Sequence, residues 1–214
     1  MQAVQKLTND NYSAVCRFLA ADEMVFASIK EQYGFPPFWS RPPGFETLVR
    51  IILEQQVSLA SGKAHFDRLS NHTGGLQPAI LETMSDQDFR NCHISRQKMG
   101  YIRDLSHKLA HGELDLASMD KLDDNAVAEQ LCRVKGIGRW TASIYLMMCL
   151  HRPDHFPPGD IAAINAAKAL FPEMAALDQK AFLAATSRWA PFRTVATNYL
   201  WWWYLSSKNR KADF

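Results

Sequence analysis

The 214-residue chain lacks the features that would place a protein in a membrane, in an oxidising compartment or around a cysteine-bound metal. Its longest apolar runs are "ASIYLMMCL" and "YLWWWYL", well short of the roughly 20 residues a membrane-spanning helix needs. The first residues, "MQAVQKLTNDNYSAV", carry no charged-then-apolar secretory pattern. Four cysteines occur, Cys16, Cys92, Cys132 and Cys149, and none forms a Cys-x-x-Cys pair. That spacing argues against both a zinc site and a disulfide framework, so a reducing, cytoplasmic location is expected. Internal repeats and low-complexity linkers are missing too. No segment sustains the period-two alternation of a half-buried strand.

What is present is an ordinary globular balance, 47% hydrophobic and 21% charged, enough for one large domain or two smaller lobes with a real core. The net charge of +2 is modest but unevenly spread. No acid lies between Glu129 and Asp154, whereas Arg133, Lys135, Arg139 and Arg152 do. From Gln179 onward there are six Lys or Arg residues and one acid, Asp213; Glu113 to Glu129 holds six acids against Lys121. Two basic patches on a nearly neutral chain fit a polyanionic partner, although any one of these charges also fits a solvated helix face.

Helical spacing recurs throughout. Residues 9 to 28 read as a first helix, and "PPFWSRPPGF" as a stiff irregular segment. "FETLVRIILEQQ" puts Phe45, Leu48, Val49, Ile52 and Leu53 on one stripe, a core helix, and "VSLASGKAHFDRLSNH" follows as another. Ser85 and Ser95 stand where N-caps belong, with Gly112 closing the second of those helices. A helix pair over 123–132 and 139–151 flanks Gly136-Ile137-Gly138. Helices over about 160–170 and 178–187 follow, and a last one begins near Pro191. The chain reads as all-α, with about ten helices.

Two glycines in three positions open backbone dihedrals closed to other residues and let N–H groups approach a ligand. The helix that begins at Arg139 adds free N–H donors and the positive end of its dipole, so the turn can seat a phosphate. A tight helix–helix connection without ligand explains the same glycines. Asp160, behind Pro157-Pro158 and at the start of a helix, reads as an N-cap or as a catalytic carboxylate. Trp201, Trp202 and Trp203 project about 100° apart, so one core stripe cannot take all three.

Taken together, "LCRVKGIGRWTASIYL", "FPPGDIAAINA", "PPGFETLVRIILEQQVS" and "RWAPFRTVATNYLWWWY" resemble the helix-hairpin-helix DNA glycosylases. The likeness is to the 3-methyladenine DNA glycosylase II branch, in a compact form without the large N-terminal sheet domain of some members. It covers about residues 36 to 206 in order and spacing. It implies a two-lobed helical bundle with a helix-hairpin-helix motif and a cleft between lobes. One lobe is expected from residues 1–50 plus about 155–214, and the other from about 51–154 with the hairpin at 125–150.

The resemblance also implies roles. Asp160 occupies the position of the catalytic aspartate, which would stabilise the oxocarbenium-like sugar and orient or deprotonate water. Trp140 stands where bifunctional relatives carry a nucleophilic lysine, so base release without strand cleavage (no AP lyase activity) is expected. Trp140, Trp201 and Trp202 would line the pocket for a flipped base, and indole faces attract the cationic ring of an alkylated purine. Gly136, Gly138 and Thr141 would offer N–H groups to a DNA phosphate, with Lys135 and Arg139 beside them. Gln56 would fill the hole left in the duplex, where some relatives use an aliphatic wedge. Main-chain carbonyls of Cys132, Val134 and Ile137 would hold a structural Na+ or K+. No iron–sulfur cluster is expected, since the four closely spaced C-terminal cysteines of other relatives have no counterpart.

The expected function is a monofunctional glycosylase that hydrolyses the N-glycosidic bond of 3-methyladenine- or 7-methylguanine-type lesions in double-stranded DNA and so starts base excision repair. A monomer in the cytoplasm, nucleoid-associated in a bacterium, is the accompanying expectation. The same scaffold acting on deaminated or mismatched bases is an alternative. So is a non-catalytic DNA-binding module, which would have no use for a carboxylate near a polyanion.

Overall fold

The structure, a computed structural model, is described for residues 4–208. Along the chain run α1 (Asn9–Asp22), α2 (Met24–Tyr33), α3 (Phe45–Glu54), α4 (Leu59–Thr73), α5 (Pro78–Thr83) and α6 (Asp86–Asn91). Then follow α7 (Arg96–Ala110), α8 (Asp124–Cys132), α9 (Arg139–Met148), α10 (Ile161–Leu170), α11 (Gln179–Ala185) and α12 (Arg193–Ser206). No strand occurs among the described residues, so the protein is all-α. None of these helices is long and apolar enough to cross a membrane.

The chain divides into two compact units, one of Met1–Arg41 with Leu146–Phe214 and one of Pro42–Tyr145. Those boundaries lie about nine residues before 50 and 154: residues 42–50 go with the second unit, and residues 146–154, the end of α9 included, with the first.

The first unit is built around α12. Every residue from Thr194 to Trp201 is buried, the signature of a helix covered on all sides. Helices α1, α2 and α10 pack against it. Around it gathers an aromatic core: Phe26 stacks on Tyr199 at 4.9 Å and meets Trp189 and Phe171 at 5.7 and 5.9 Å. These separations suit tilted and edge contacts between ring quadrupoles. Burial in this core pushes the Cys16 and Cys149 thiols up to about 12.

A single helix over residues 9–28 is not what forms. The chain breaks at Glu23, whose extended backbone (φ −117°, ψ 111°) ends α1 and opens α2. The Glu23 carboxylate accepts from Arg188 at 2.6 Å. The pattern over residues 9–28 contains no Gly or Pro that would mark this break.

In the second unit α3 is the buried rod, with Leu48, Val49, Ile51, Ile52 and Leu53 each 1% exposed or less. It crosses α4 so closely that a Cβ on Gly62 would sit 2.9 Å from the Cα of Glu54. Helix α7 packs on α3 and, on another side, on α5. Ser85 and Ser95 cap α6 and α7 by accepting from the N–H groups of Asp88 (3.1 Å) and Lys98 (3.3 Å). Helix α5 was not among the expected elements; Pro78 at its first turn is the signal that marks it.

Candidate active site and nucleic-acid interface

The hairpin turn, with α8 and α9 as far as Tyr145, lies in the second unit. Helix α8 starts under a side-chain cap from Asp123, which accepts from Asn125 and Ala126 N–H groups at 3.0 Å each. It stops at Cys132, and the turn tightens through Val134 N–H to Leu131 O (3.0 Å) and Ile137 N–H to Val134 O (3.1 Å). Ile137, 4% exposed, points into the core between the two helices.

The two glycines do different things. Gly136 has φ 80°, and a Cβ there would overlap the ring of Tyr101 from α7. Its glycine is demanded by conformation and by a protein neighbour. Gly138 has open space around a Cβ position and is exposed. Its carbonyl receives Ala142 N–H at 3.0 Å, which starts the ladder of α9. Gly138 is therefore the glycine that leaves backbone accessible to a ligand.

Lys135, Arg139 and Arg133 are all exposed. The run is acid-free in sequence but not in space. Asp104 of α7 accepts the Lys135 N–H at 2.9 Å, and its other oxygen lies 3.9 Å from Lys135 Nζ. With 77% of its side chain exposed, Lys135 keeps an ammonium open to solvent while Asp104 fixes its backbone. Thr141, by contrast, is 2% exposed.

A residue the sequence reading passed over joins this hairpin to the α3–α4 turn. Gln55 Nε2 donates to Gly136 O at 3.0 Å and to Thr141 Oγ1 at 3.1 Å. Gln56, next in the chain, is exposed and left-handed, with φ 56°. That is an uncommon conformation for a residue other than Gly, Asn or Asp. Lys98 Nζ supports the same corner by donating to Leu53 O at 2.7 Å, and burial lowers its pKa. Gln56 and the hairpin are thus held as parts of one corner. The only sequence signal for Gln55 was its place in the same "EQQ".

The carboxylate belongs to the first unit. Gly159 (φ 79°) turns the chain after Pro157-Pro158, and Asp160 N–H donates back to Pro157 O at 3.2 Å. Asp160 then caps α10, its Oδ1 accepting Ala163 N–H at 2.8 Å. The same oxygen accepts Trp201 Nε1–H at 3.0 Å. Two donors on one oxygen fix the plane of a side chain that is 8% exposed.

Among the tryptophans, Trp201 is 6% exposed, meets Trp39 edge-on at 5.9 Å and gives its indole N–H to Asp160. Trp202 is half-buried, donates to Tyr33 O at 3.1 Å and meets Trp39 at 6.5 Å. Trp203 is half-buried as well. Trp140, in the first turn of α9, belongs to the second unit and is half-buried. Upstream, Arg193 grips Asp154 with Nε and Nη2 at 2.7 and 2.8 Å. Burial alone would raise the Asp154 carboxyl, but the Arg193 side chain and backbone N–H hold it below its usual range.

The chain thus carries a helix-capping aspartate tied to an indole in one unit and a Gly-x-Gly helical hairpin in the other. Residues 49–191 match the model of the HhH-GPD superfamily base excision DNA repair protein, and the chain belongs to that family. It is 28% identical over 187 residues to the putative DNA-3-methyladenine glycosylase YfjP of Bacillus subtilis, covering 82% of this chain and 64% of that one. The chain therefore spans under two-thirds of that relative. Two solved structures are similar over nearly their whole length. The Schizosaccharomyces pombe 3-methyladenine DNA glycosylase Mag1 in complex with abasic DNA has a TM-score of 0.81 at 25% identity, over 94% of this chain and 98% of that one. The DNA-3-methyladenine glycosidase of Bacillus halodurans has a TM-score of 0.74 at 31% identity, over 94% and 93%.

Proposed function

We propose that this protein is a monofunctional DNA glycosylase that removes alkylated purines from double-stranded DNA and so begins base excision repair. The observation that carries the reading is Asp160, held by Ala163 N–H and Trp201 Nε1–H at 2.8 and 3.0 Å, in a family whose similar members are named for 3-methyladenine release. The second donor, from an indole 41 residues away, fixes the carboxylate's orientation beyond what the cap alone requires.

The chemistry fits a fixed carboxylate. As the C1′–N bond breaks, its electron pair returns to the base and neutralises the cationic ring, so an alkylated purine leaves without strong acid catalysis. The sugar becomes oxocarbenium-like. Asp160 stabilises that charge and accepts the proton of the water that adds to C1′. Trp140, Trp201 and Trp202 are the aromatic surfaces assigned to the extruded cationic base. Gln56 is assigned to the vacated stack, and the N–H groups of Gly136, Gly138 and Thr141, with Lys135 and Arg139, to a DNA phosphate.

The hairpin also suits a monovalent cation. Cys132 ends α8, so its carbonyl is one of the last four that lack an intrahelical partner. Val134 and Ile137 add two further main-chain oxygens, a hard donor set that calls for no thiolate. Bound there, Na+ or K+ would supply positive charge near the phosphate. No cofactor is assigned to the chemical step. A monomer acting at the DNA, in the cytoplasm or nucleoid, completes the reading.

The test is incubation with duplex DNA bearing methylated purines, with free base and strand breaks assayed separately. Free 3-methyladenine or 7-methylguanine, with no nicking and no borohydride-trapped adduct, is the expected result. Release only from deaminated or mismatched DNA would move the activity to another lesion class. Binding without release of any base would overturn the enzymatic reading.

A further inference from the structure

We infer that Glu82, His107 and His111 form a divalent transition-metal site, suited to Zn2+, on the face of the second unit formed by α5 and α7. None of these residues takes part in the chemistry assigned to Asp160 or in the hairpin.

The placement follows from the helices. His107 and His111 are one turn apart at the end of α7, so their rings share a face. Their centroids lie 4.2 Å apart, edge to face. Glu82 comes from the last turn of α5, which packs on α7. Its Oε1 is 2.8 Å from His107 Nδ1 and 3.4 Å from His111 Nε2. One ligand atom from each residue lies within 4.8 Å of the other two. A tetrahedral ion with ligand bonds of about 2.0–2.1 Å spaces its ligand atoms about 3.4 Å apart; the contact from Glu82 Oε1 to His111 Nε2 already has that length, and the 2.8 Å hydrogen bond to His107 Nδ1 would lengthen as an ion replaced it. Two imidazoles and one carboxylate is a zinc ligand set that leaves a fourth position for water.

Two rings turn their nitrogens to the same Glu82 oxygen, the convergence that a shared ion needs. The other nitrogen of His107, Nε2, lies 3.6 Å from Glu113 Oε1. Glu113 is itself anchored by Lys108 Nζ at 3.4 Å. A carboxylate on the far side of a ligating histidine is the usual outer arrangement of a histidine–metal site, and a shift of a few tenths of an ångström would close this contact to a hydrogen bond. Such a site would clamp α5 to α7, the helix that supplies Tyr101 and Asp104 to the hairpin turn.

The experiment is a calorimetric titration of the EDTA-stripped full chain with Zn2+. Substituted Co2+ reports geometry through the intense visible bands of a four-coordinate ion. One equivalent of Zn2+ is expected to bind, with a tetrahedral Co2+ spectrum and a higher melting temperature. His107→Ala and His111→Ala each weaken binding at least about tenfold, their combination removes it, and Glu113→Gln weakens it about tenfold. Cys132→Ser leaves binding unchanged. Both histidines are half-exposed, so an unchanged melting temperature in EDTA verifies that the variants fold. No stoichiometric uptake, or uptake that survives loss of both histidines, overturns the site. Base release is independent of this result, so failure here and failure of the glycosylase reading are told apart.

Discussion

A carboxylate with two donors on one oxygen is the smallest unit of this account. Ala163 N–H and Trp201 Nε1–H orient Asp160, so the cap of α10 and the sugar-facing role proposed for Asp160 use the same geometry. The loop that delivers Asp160 is tied down one step earlier, by Arg193 on Asp154. A carboxyl held below its usual range when folded adds stability above its unfolded value of about 3.9, and loses it as pH falls through the lower folded value. The pair is about one-third exposed, 34% and 29%, so solvent screening reduces its worth. Asp154→Asn should cost about 1 kcal/mol in urea unfolding at neutral pH. The difference from the wild type should vanish in acid below the ordinary carboxylate range. A cost that persists there would mean the pair acts through packing instead of charge.

At the scale of elements, the hairpin and the α3–α4 corner act together. Gly136→Ala must both adopt a left-handed backbone and displace the Tyr101 ring, and should destabilise by about 2–4 kcal/mol. Gly138→Ala meets open space and should cost under about 1 kcal/mol in stability, its effect appearing in DNA affinity. Thermal melts beside a DNA-binding titration separate the two. Gln55→Ala removes bonds to Gly136 O and Thr141 Oγ1, worth about 1–2 kcal/mol together. Loss of DNA affinity larger than the loss of stability is the expected pattern. The glycines themselves were legible in the sequence, but their division of labour was not, because Tyr101 arrives from 35 positions away. Helix α5 had a readable Pro78, whereas the break at Glu23 had none, since its partner Arg188 is a tertiary neighbour.

Over the whole molecule, helical periodicity and the scarcity of strand patterns sufficed for an all-α chain, and both units have the apolar helix that pattern demands, α3 in one and α12 in the other. The run of three tryptophans could not all enter one core, and it does not: Trp201 is buried while Trp202 and Trp203 are half-buried. That Trp201 would be the one to grip Asp160 was not legible, because the bond spans two helices 41 residues apart. Gln55 was hidden for a similar reason, a polar side chain whose partners are a backbone oxygen and a hydroxyl of another element. The chemistry assigned to the molecule nevertheless converges on one side chain. The most direct measurement is the single-turnover rate of base release from methylated duplex DNA by Asp160→Asn, beside its DNA affinity. Asparagine keeps an oxygen for Ala163 and Trp201 but replaces the second, charged carboxylate oxygen with a neutral NH2 that cannot take a proton. A rate lower by about 10²–10⁴-fold with affinity retained is predicted, and a rate equal to the wild type would contradict the assignment of Asp160.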